Sequence, residues 1–195
     1  ARGSAAEIAA GISRITARAG LEPADVTLFV HGFTVATNAL LTRSGARAGL
    51  IGSRGFGDIL EIRNQLRPKL YALIQQRPPA VIPRDRVVEV AERVDAFGDV
   101  VAALDDAEIA RVVDAVVAAA PEAVAISLLF SHLHPRHEQR LAVALRSRLA
   151  GVPVYASSDI NPEIEEWPRA STTAMTAYVG PIVSRYIDQL EATLA

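Results

Sequence analysis

The sequence predicts an α/β fold built from parallel β-α-β units, with one β-hairpin inserted between them. Short apolar runs rich in β-branched residues alternate along the chain with longer amphipathic stretches, which is the order of strands and helices in such units. Hydrophobic residues make up 50% of the 195 positions, so the chain can bury a sizeable core. We therefore expect a single α/β region over residues 1–195.

The first quarter of the chain predicts two helices and two strands. Isoleucines at helical spacing predict a helix over residues 4–19 that ends at Gly20. The uniformly apolar run "VTLFV", residues 26–30, predicts a strand buried on both faces. A second helix is expected in "VATNALLTRSG", with Gly45 as its stop, followed by a short strand in "ARAGLIGS".

The next stretch predicts a loop, a helix and a hairpin. Residues 52–57 begin and end with glycine and predict a loop. Residues 58–78 are expected to be mostly helical, with Pro68 near a start and the Pro78-Pro79 pair at the end. Alternating apolar residues around Phe97-Gly98-Asp99 predict a hairpin insertion over residues 82–104.

The second half returns to alternating helices and strands. The pair Asp105 and Glu108 forms a capping pattern at the start of a helix. A buried strand is expected in "EAVAISLLF", then a helix from Pro135 to about Leu149, then a strand in "VPVYASS".

The C-terminal part, residues 162–195, predicts a long helical segment. Proline cannot donate a backbone hydrogen bond and clashes with the preceding helical turn. We therefore expect interruptions at Pro168 and at Gly180-Pro181.

Charge and cysteine content exclude several classes of function. Twenty basic residues against 22 acidic ones leave a net charge of -2, which gives no electrostatic reason to expect nucleic acid or a membrane as partner. The absence of cysteine excludes disulfides and thiol catalysis and is compatible with a cytoplasmic protein. The N-terminus does not have the pattern of a secretory signal, and a start without Met suggests a fragment, a processed chain or a missing beginning.

Small polar residues crowd the end of the first predicted strand, and they are the first candidate site. His31, Gly32, Thr34, Thr37 and Asn38 follow "VTLFV" within two helical turns. Ligands of open α/β sheets bind beyond the carboxyl ends of strands, and a helix N-terminus there suits an anion. The alternative is structural: Thr34 caps the helix, and the side chains of Thr37 and Asn38 bond to nearby backbone.

Four stretches together resemble the hydantoinase A/5-oxoprolinase family. They are "HGFTVATNALLTRSGARAGLIGSRGFGDILEIRNQLRPKLY", "AERVDAFGDV", "AISLLFSHLHPRHEQR" and "PEIEEWPRASTTAMTAYVGPIVSRYIDQLE". The resemblance covers nearly all of the chain beyond about residue 25. Phe33 stands where the family usually has the first threonine of a Thr-Thr pair.

The resemblance implies a fold, an activity and a cofactor. The fold would be part of the actin, sugar-kinase and Hsp70 type of ATPase. The activity would be ATP-dependent opening of a small cyclic amide, such as a hydantoin or 5-oxoproline, by phosphorylation of its carbonyl oxygen. ATP and Mg²⁺ would serve the full-length enzyme, and a hydantoinase B-type subunit or domain would be its partner. A second copy of the same chain, in a homo-oligomer, is a further candidate partner.

This sequence departs from the family in its phosphate loops. The family has an acidic, glycine-rich loop ahead of the matched region and a second glycine-rich segment further along, and neither occurs here. The chain therefore resembles the portion between two ATP-binding elements. We expect it to bind no nucleotide tightly and to be inactive alone.

Two further groups of side chains are candidates. "NPEIEEWPRASTT" holds Glu163 and Arg169, which could orient substrate or polarise water, and the resemblance favours both as site residues; the alternative is an ordinary acidic helix start. Arg54, in the glycine-rich "SRGFGD", is a candidate anion contact, although the loop lacks Walker spacing.

The three histidines of "SHLHPRHEQR" are a candidate metal site, because histidine is a common metal ligand, but their spacing argues against it. His132 and His134 precede the helix that Pro135 starts, whereas His137 lies inside it, so nothing obliges the rings to converge. The resembled family usually has Tyr and Asn at the first two positions. We therefore predict no metal site.

Three functions remain open on the sequence alone. The favoured one is part of an ATP-dependent cyclic amidohydrolase, with His31, Thr37, Asn38, Glu163 and Arg169 catalytic and Gly32, Thr34 and Arg54 binding substrate. The second is a subunit of an acetone or acetophenone carboxylase. The third, from another class, is a non-catalytic fragment or assembly module.

Overall fold

The computed structural model describes residues 5–67, 69–74 and 77–194. Contacts between residues divide the chain into two compact units. One, here called the terminal unit, comprises Ala1–Ser44 and Ile182–Ala195, and the other, the sheet unit, comprises Gly45–Pro181. Every helix of the described residues is too short or too polar to cross a lipid bilayer.

A four-stranded, all-parallel sheet forms the centre of the sheet unit. Its strands are β1 (Ala48–Ser53), β2 (Val87–Val90), β5 (Ala123–Ser127) and β6 (Val154–Ala156), in the spatial order β2-β1-β5-β6. The middle strands β1 and β5 are apolar along nearly their whole length because helices or loops cover both faces. Parallel pairing brings the carboxyl ends of all four strands to one edge, which we call the carboxyl edge.

The described residues form seven α-helices. In chain order they are α1 (Ala5–Ala19), α2 (Val35–Leu41), α3 (Ile59–Ile62), α4 (Asp106–Ala119), α5 (Arg136–Arg148), α6 (Ser157–Ile160) and α7 (Glu166–Leu194). The cap predicted for α4 is confirmed, since the Asp105 carboxylate accepts a hydrogen bond from the Glu108 backbone at 2.8 Å. The helix predicted from Pro135 to about Leu149 is confirmed as α5.

The two faces of the parallel sheet carry separate apolar cores. One face packs against α4 and α5, through buried residues such as Val113 and Leu141. The other packs against the first half of α7, where Ala170, Ala174 and Ala177 recur at helical spacing and are almost completely buried. Small side chains on α7 let its backbone approach the sheet closely.

A short hairpin is inserted between β2 and α4, but it is smaller than the sequence predicts. Its strands are β3 (Arg93–Val94) and β4 (Val100–Ala102). The Asp95 carboxylate accepts backbone hydrogen bonds from Phe97 and Asp99 and so closes the turn. Val87–Val90, which the sequence analysis assigned to the hairpin, instead form the edge strand of the parallel sheet.

The predicted strand at residues 26–30 is wrong. These residues belong to no helix or strand, and all five are exposed. A strand is stable only when a neighbour accepts and donates its backbone hydrogen bonds, and the described residues offer none. The following helix also ends earlier than predicted, at Leu41 rather than at Gly45, because Arg43 takes a left-handed conformation with φ of 56°.

The helix predicted over residues 58–78 is also mostly wrong. Among the residues of this stretch that the structure describes, only Ile59–Ile62 are helical. Arg63 and Gln65 have φ of 60° and 59°, and a right-handed helix cannot continue through such residues. The expected start at Pro68 lies outside the described residues.

The predicted interruptions of the last helix do not occur. α7 runs without a break from Glu166 to Leu194. Pro168 is its third residue, where no intrahelical donor is needed. Pro181 is inside the helix, and the long packed helix tolerates the loss of one backbone hydrogen bond there.

Candidate functional site

A groove of about 830 Å³ lies in the terminal unit. The segment before α2, the first turns of α2 and the end of α7 form most of its wall. The lining residues are Ile8, His31, Gly32, Phe33, Thr34, Val35, Asn38, Ala39, Thr42, Ser44, Ile182, Arg185, Tyr186 and Gln189. Four of the residues predicted from sequence, His31, Gly32, Thr34 and Asn38, therefore lie together, although no strand leads to them.

His31 is held in place within this groove. Its Nε2 atom lies 2.7 Å from the Tyr186 hydroxyl oxygen. Its ring stacks with those of Phe29 and Phe33, with ring centroids 6.0 Å and 5.8 Å away. Sequence reasoning missed Tyr186, because no local pattern links it to a histidine 155 positions earlier. The Arg185 side chain adds an exposed cation beside this pair.

The start of α2 is not the simple cap that the alternative reading proposes. The Thr34 side chain makes no capping hydrogen bond to the backbone. Instead the Asn38 amide donates to the Thr34 hydroxyl oxygen at 3.3 Å, and both side chains face the groove. Thr37 is exposed and is not part of the groove wall.

The carboxyl edge of the sheet unit carries a second polar cluster, centred on the fully buried Glu138. The Glu138 carboxylate accepts hydrogen bonds from the backbone of Leu128 and Ser158 and from the Ser157 hydroxyl, at 2.7 to 2.8 Å. The Ser157 hydroxyl also bonds to that of Ser131 at 3.0 Å. One carboxylate from α5 thus fixes the ends of β5 and β6.

Glu92 plays a similar part at the ends of β1 and β2. Its carboxylate accepts a hydrogen bond from the Ser53 hydroxyl and lies 2.8 Å from Nδ1 of His137 on α5. The Leu129 backbone donates to the Ser53 oxygen at 3.0 Å. The histidine contacts the glutamate and not the serine, so these residues do not form a nucleophilic triad. All three side chains are buried.

Arg169, predicted as a site residue, is buried beside this cluster with only 1% of its surface exposed. Its terminal nitrogens donate to the carbonyl oxygens of Leu128, Glu163 and Ile164, at 2.6 to 3.1 Å. Burial lowers its pKa, and the nearby Glu138 charge opposes that effect. Its Nε atom is buried without a hydrogen-bond partner. Arg169 therefore meets Glu163 through that residue's backbone and not as a carboxylate–arginine pair.

The exit of β5 contains a residue with a left-handed backbone and a ring nitrogen without a hydrogen-bond partner. Phe130 has φ of 52°, an uncommon conformation for a large side chain. The Nδ1 atom of His132 is buried without a hydrogen-bond partner. Burial, followed by the Arg169 charge, lowers the pKa of His132. Strain and unpaired polar atoms are features that gather at functional sites.

Arg54 is mostly exposed and belongs to a surface network. It lies 3.7 Å from the Glu108 carboxylate, which Arg111 contacts at 2.7 Å. The Arg111 hydrogen bond is the main reason why the pKa of Glu108 falls to about 2. The Gly55 backbone donates to the Glu89 carboxylate at 3.0 Å, so acidic groups already occupy the glycine-rich loop.

The three histidines after β5 do not converge on one point among the described residues. His134 and His137 stack edge to face with ring centroids 4.9 Å apart, whereas His132 lies near Phe130. No group of three or more metal-ligating side chains is assembled in the described part of the chain.

The glutamates at the carboxyl edge were not predicted from sequence. Glu92 follows β2 by two residues, whereas Glu138 lies in the first turn of α5, after the loop that follows β5. For Glu92, a charged residue just after a strand was the available signal, but the sequence assigns it to a hairpin. Glu138 gives no such signal, because it fits an ordinary acidic helix start.

Comparison with known proteins places the chain in a family. The model of the hydantoinase/oxoprolinase N-terminal region matches residues 3–149, which is more than half of the chain. The caprolactamase subunit alpha of Pseudomonas jessenii is 34% identical over 188 residues, covering 93% of this chain and 27% of that protein. The 5-oxoprolinase 1 of Arabidopsis thaliana is 30% identical over 178 residues, covering 80% of this chain and 14% of that protein.

Solved structures agree with this assignment. The crystal structure of the ATP-dependent caprolactamase from Pseudomonas jessenii matches with a TM-score of 0.83 and 33% identity, over 94% of this chain and 28% of that one. The nucleotide-free acetone carboxylase matches with a TM-score of 0.74 and 25% identity, over 82% of this chain and 24% of that one.

The chain spans less than a third of the length of each of these relatives. The predicted fold class is confirmed: the protein is α/β with a parallel sheet and resembles part of the actin-like ATPase fold. Residues 3–149 carry the family match, and the fold extends it over most of the remainder. The chain belongs to the hydantoinase/oxoprolinase family through that family's N-terminal region.

Proposed function

We propose that this chain is the lactam-binding part of an ATP-dependent cyclic amidohydrolase. The observation that carries the proposal is the groove of the terminal unit, where His31, Asn38, Tyr186 and Arg185 place hydrogen-bonding groups beside apolar walls. A small cyclic amide has one polar edge and a ring of methylene groups, so such a groove suits both of its sides. The relatives include an ATP-dependent caprolactamase and a 5-oxoprolinase, which supports a cyclic amide as ligand.

The polar groups of the groove would bind the amide oxygen of the substrate. An amide carbonyl is a weak electrophile. To open the ring, the carbonyl oxygen must either take up negative charge or be converted into a better leaving group. The Asn38 amide and the His31–Tyr186 pair can supply donors to that oxygen. Ile182 and Val35 would pack against the ring and help to keep water from the bound amide.

ATP would supply the activating phosphoryl group in the whole enzyme, but the described residues do not fit its phosphates. The glycine-rich segment after β1 is the obvious place for them. There the Gly55 backbone N–H already donates to Glu89, and a Cβ on Gly57 would lie 2.4 Å from the Glu89 carboxylate and 2.6 Å from the Arg84 guanidinium. An acidic, filled loop cannot cradle an anion. We assign nucleotide and Mg²⁺ to other parts of the full-length enzyme.

A lactam titration of the 195-residue chain followed by NMR tests the binding step. Addition of 2-pyrrolidinone should shift the His31 ring signals and the Asn38 side-chain amide signals, and its open-chain product, 4-aminobutyrate, should not. In the full-length enzyme, Asn38→Ala should lower turnover by roughly 30- to 1,000-fold, the value of one transition-state hydrogen bond.

The expected controls separate binding from folding. Asn161→Ala, in the sheet unit, should leave both the titration and turnover unchanged. Full turnover per folded molecule in both His31→Ala and Asn38→Ala enzymes would remove the groove from the proposed mechanism. Thr37 stays a predicted catalytic residue, and Thr37→Ala tests it in the same assay.

A carboxylase subunit is the second candidate, favoured by the fold match to acetone carboxylase. The two functions differ in the co-substrate that they need. A carboxylase would consume ATP only when a ketone and bicarbonate are both present, whereas an amidohydrolase would consume it with a lactam alone. ATP turnover by the full-length enzyme under these two conditions distinguishes them.

A further inference from the structure

We propose that a small cleft between the ends of β1 and β5 binds a carboxylate group, which serves as the missing partner of the buried Arg169. The site belongs to the sheet unit and is independent of the lactam groove. It explains why a buried guanidinium is surrounded by polar atoms and yet has no ion-pair partner among the described residues.

The cleft lies where the order of the parallel strands reverses. The connection from β1 to β2 runs over the face that packs against α7, since Leu60 and Ile82 belong to that core. The connection from β5 to β6 is α5, which packs on the opposite face. The segments that leave the neighbouring strands β1 and β5 therefore diverge and open a crevice at the carboxyl edge. Open α/β sheets bind their ligands in such crevices.

The cleft is narrow and reaches the surface. Ser53 at the end of β1 and Ser127 at the end of β5 line it, together with Arg169 from the start of α7. Its volume of about 10 Å³ is roughly that of one water-sized sphere. Phe56 and Glu166, which are partly exposed, line it as well. A ligand can therefore place one oxygen atom inside and keep its other atoms at the mouth.

Arg169 is the group of this cleft that lacks a partner. No carboxylate of the described residues forms an ion pair with it, although buried charges are normally paired. The guanidinium has five N–H groups, and its hydrogen bonds to three carbonyl oxygens use at most three of them. The Nε–H is one of those that remain. Burial lowers the pKa of Arg169 in spite of the nearby Glu138 and Glu166 charges, so the chain offsets only part of the cost of burying this cation.

A carboxylate is the ligand class that matches these properties. Its oxygens accept N–H groups of arginine in short, charge-assisted hydrogen bonds, and its charge completes the ion pair. One carboxylate oxygen also suits the volume of the cleft. Glu166 at the mouth repels a doubly charged phosphate more strongly than a singly charged carboxylate. The site therefore favours a small monoanion over a phosphate group.

An NMR titration of the 195-residue chain with sodium acetate tests the proposal. The Nε–H signal of Arg169 should shift downfield and saturate, because this proton gains an acceptor. Acetamide has the same shape without the charge and should bind at least about tenfold more weakly. Sodium chloride at the same ionic strength should leave the signal in place. No saturable shift with acetate, or an equal shift with chloride, would overturn the proposal.

Variants at the mouth give the second readout, since replacing Arg169 itself would also remove its bonds to three carbonyl oxygens and could unfold the chain. Glu166→Gln removes the repulsion and should lower the dissociation constant for acetate about threefold or more. Glu165→Gln is the matched control: it is the same change at the adjacent exposed residue, which does not line the cleft, and should have little effect. Circular dichroism should show that both variants are folded. If acetate bound only to the Glu166→Gln variant, Glu166 would itself be the counter-ion of Arg169, and the proposed site would not exist in the natural chain.

Discussion

The Nε2 atom of His31 and the hydroxyl oxygen of Tyr186, 155 positions apart, lie 2.7 Å from each other in the terminal unit. Their hydrogen bond orients the imidazole that faces the groove. Tyr186→Phe removes the bond and keeps the ring, so we expect the free energy of unfolding to fall by about 0.5–1.5 kcal/mol. Urea denaturation measures it. Tyr71→Phe, at a side chain that is 94% exposed, is the control and should have no effect.

Glu138 should be the most sensitive position of the sheet unit. Glu138→Ala would leave three donors without their acceptor and would remove the negative charge near the buried Arg169 guanidinium. A buried donor left without its acceptor costs about 1–3 kcal/mol, so the loss of three acceptor contacts is a large share of the stability of a domain. Glu138→Gln keeps the shape and one acceptor oxygen, so its cost should be clearly smaller. If the Ala variant and the wild type unfold at the same guanidinium concentration, Glu138 does not stabilise the carboxyl edge.

Stability should fall between pH 7.5 and 5.5 because of His132 and His134. Burial is the main cause that lowers both pKa values, with Arg169 adding to it for His132 and His137 for His134. A lowered pKa means that the unfolded state binds protons first, so the contribution is complete above the unfolded pKa of about 6.5 and is lost as the pH falls below it. Glu108 contributes nothing in this window, because its pKa of about 2 and its ordinary value of 4.5 both lie below it.

The measurement is the thermal midpoint of wild type and variants across that pH range. His132→Asn and His134→Asn should each show a flatter dependence than the wild type. Asp114→Asn, at an exposed site, should keep the wild-type slope. If the histidine variants also keep it, other groups carry the pH dependence.

Mg-ATP should bind this chain weakly or not at all. The phosphate loops of the family are absent from its sequence, and the glycine-rich segment after β1 is occupied by Glu89. Calorimetric titration at submillimolar protein should detect no saturable heat. Micromolar affinity would mean that the described residues contain a phosphate site of another kind, with Arg54 as a first candidate to replace by Gln.

Local patterns predicted most of the sheet unit correctly. The Asp105 cap, the helix start at Pro135 and the apolar strands β1 and β5 each depend on a few neighbouring residues, and all four agree with the structure. Such features are visible in sequence because capping chemistry and burial act over one or two turns.

Features that depend on distant partners were mispredicted or missed. Val26–Val30 has the composition of a strand, but pairing requires a neighbour that composition does not reveal. Val87–Val90 alternate as a hairpin would, yet pairing with β1 makes them a sheet edge. In the candidate sites, His31 and Asn38 were found because they are close in sequence, whereas Tyr186, Glu92 and Glu138 became visible only through contacts with residues far along the chain.

The left-handed backbone at Phe130 restricts which sequences this fold can accept. Glycine and asparagine adopt φ near 52° at little cost, whereas valine and isoleucine do not. A saturation library at position 130 should therefore retain Gly and Asn alongside Phe and lose the β-branched residues, even though these are the residues that the preceding strand prefers. A designer who extended β5 by one residue, guided by strand propensity alone, would choose the wrong amino acid at the turn toward the buried serines and glutamates.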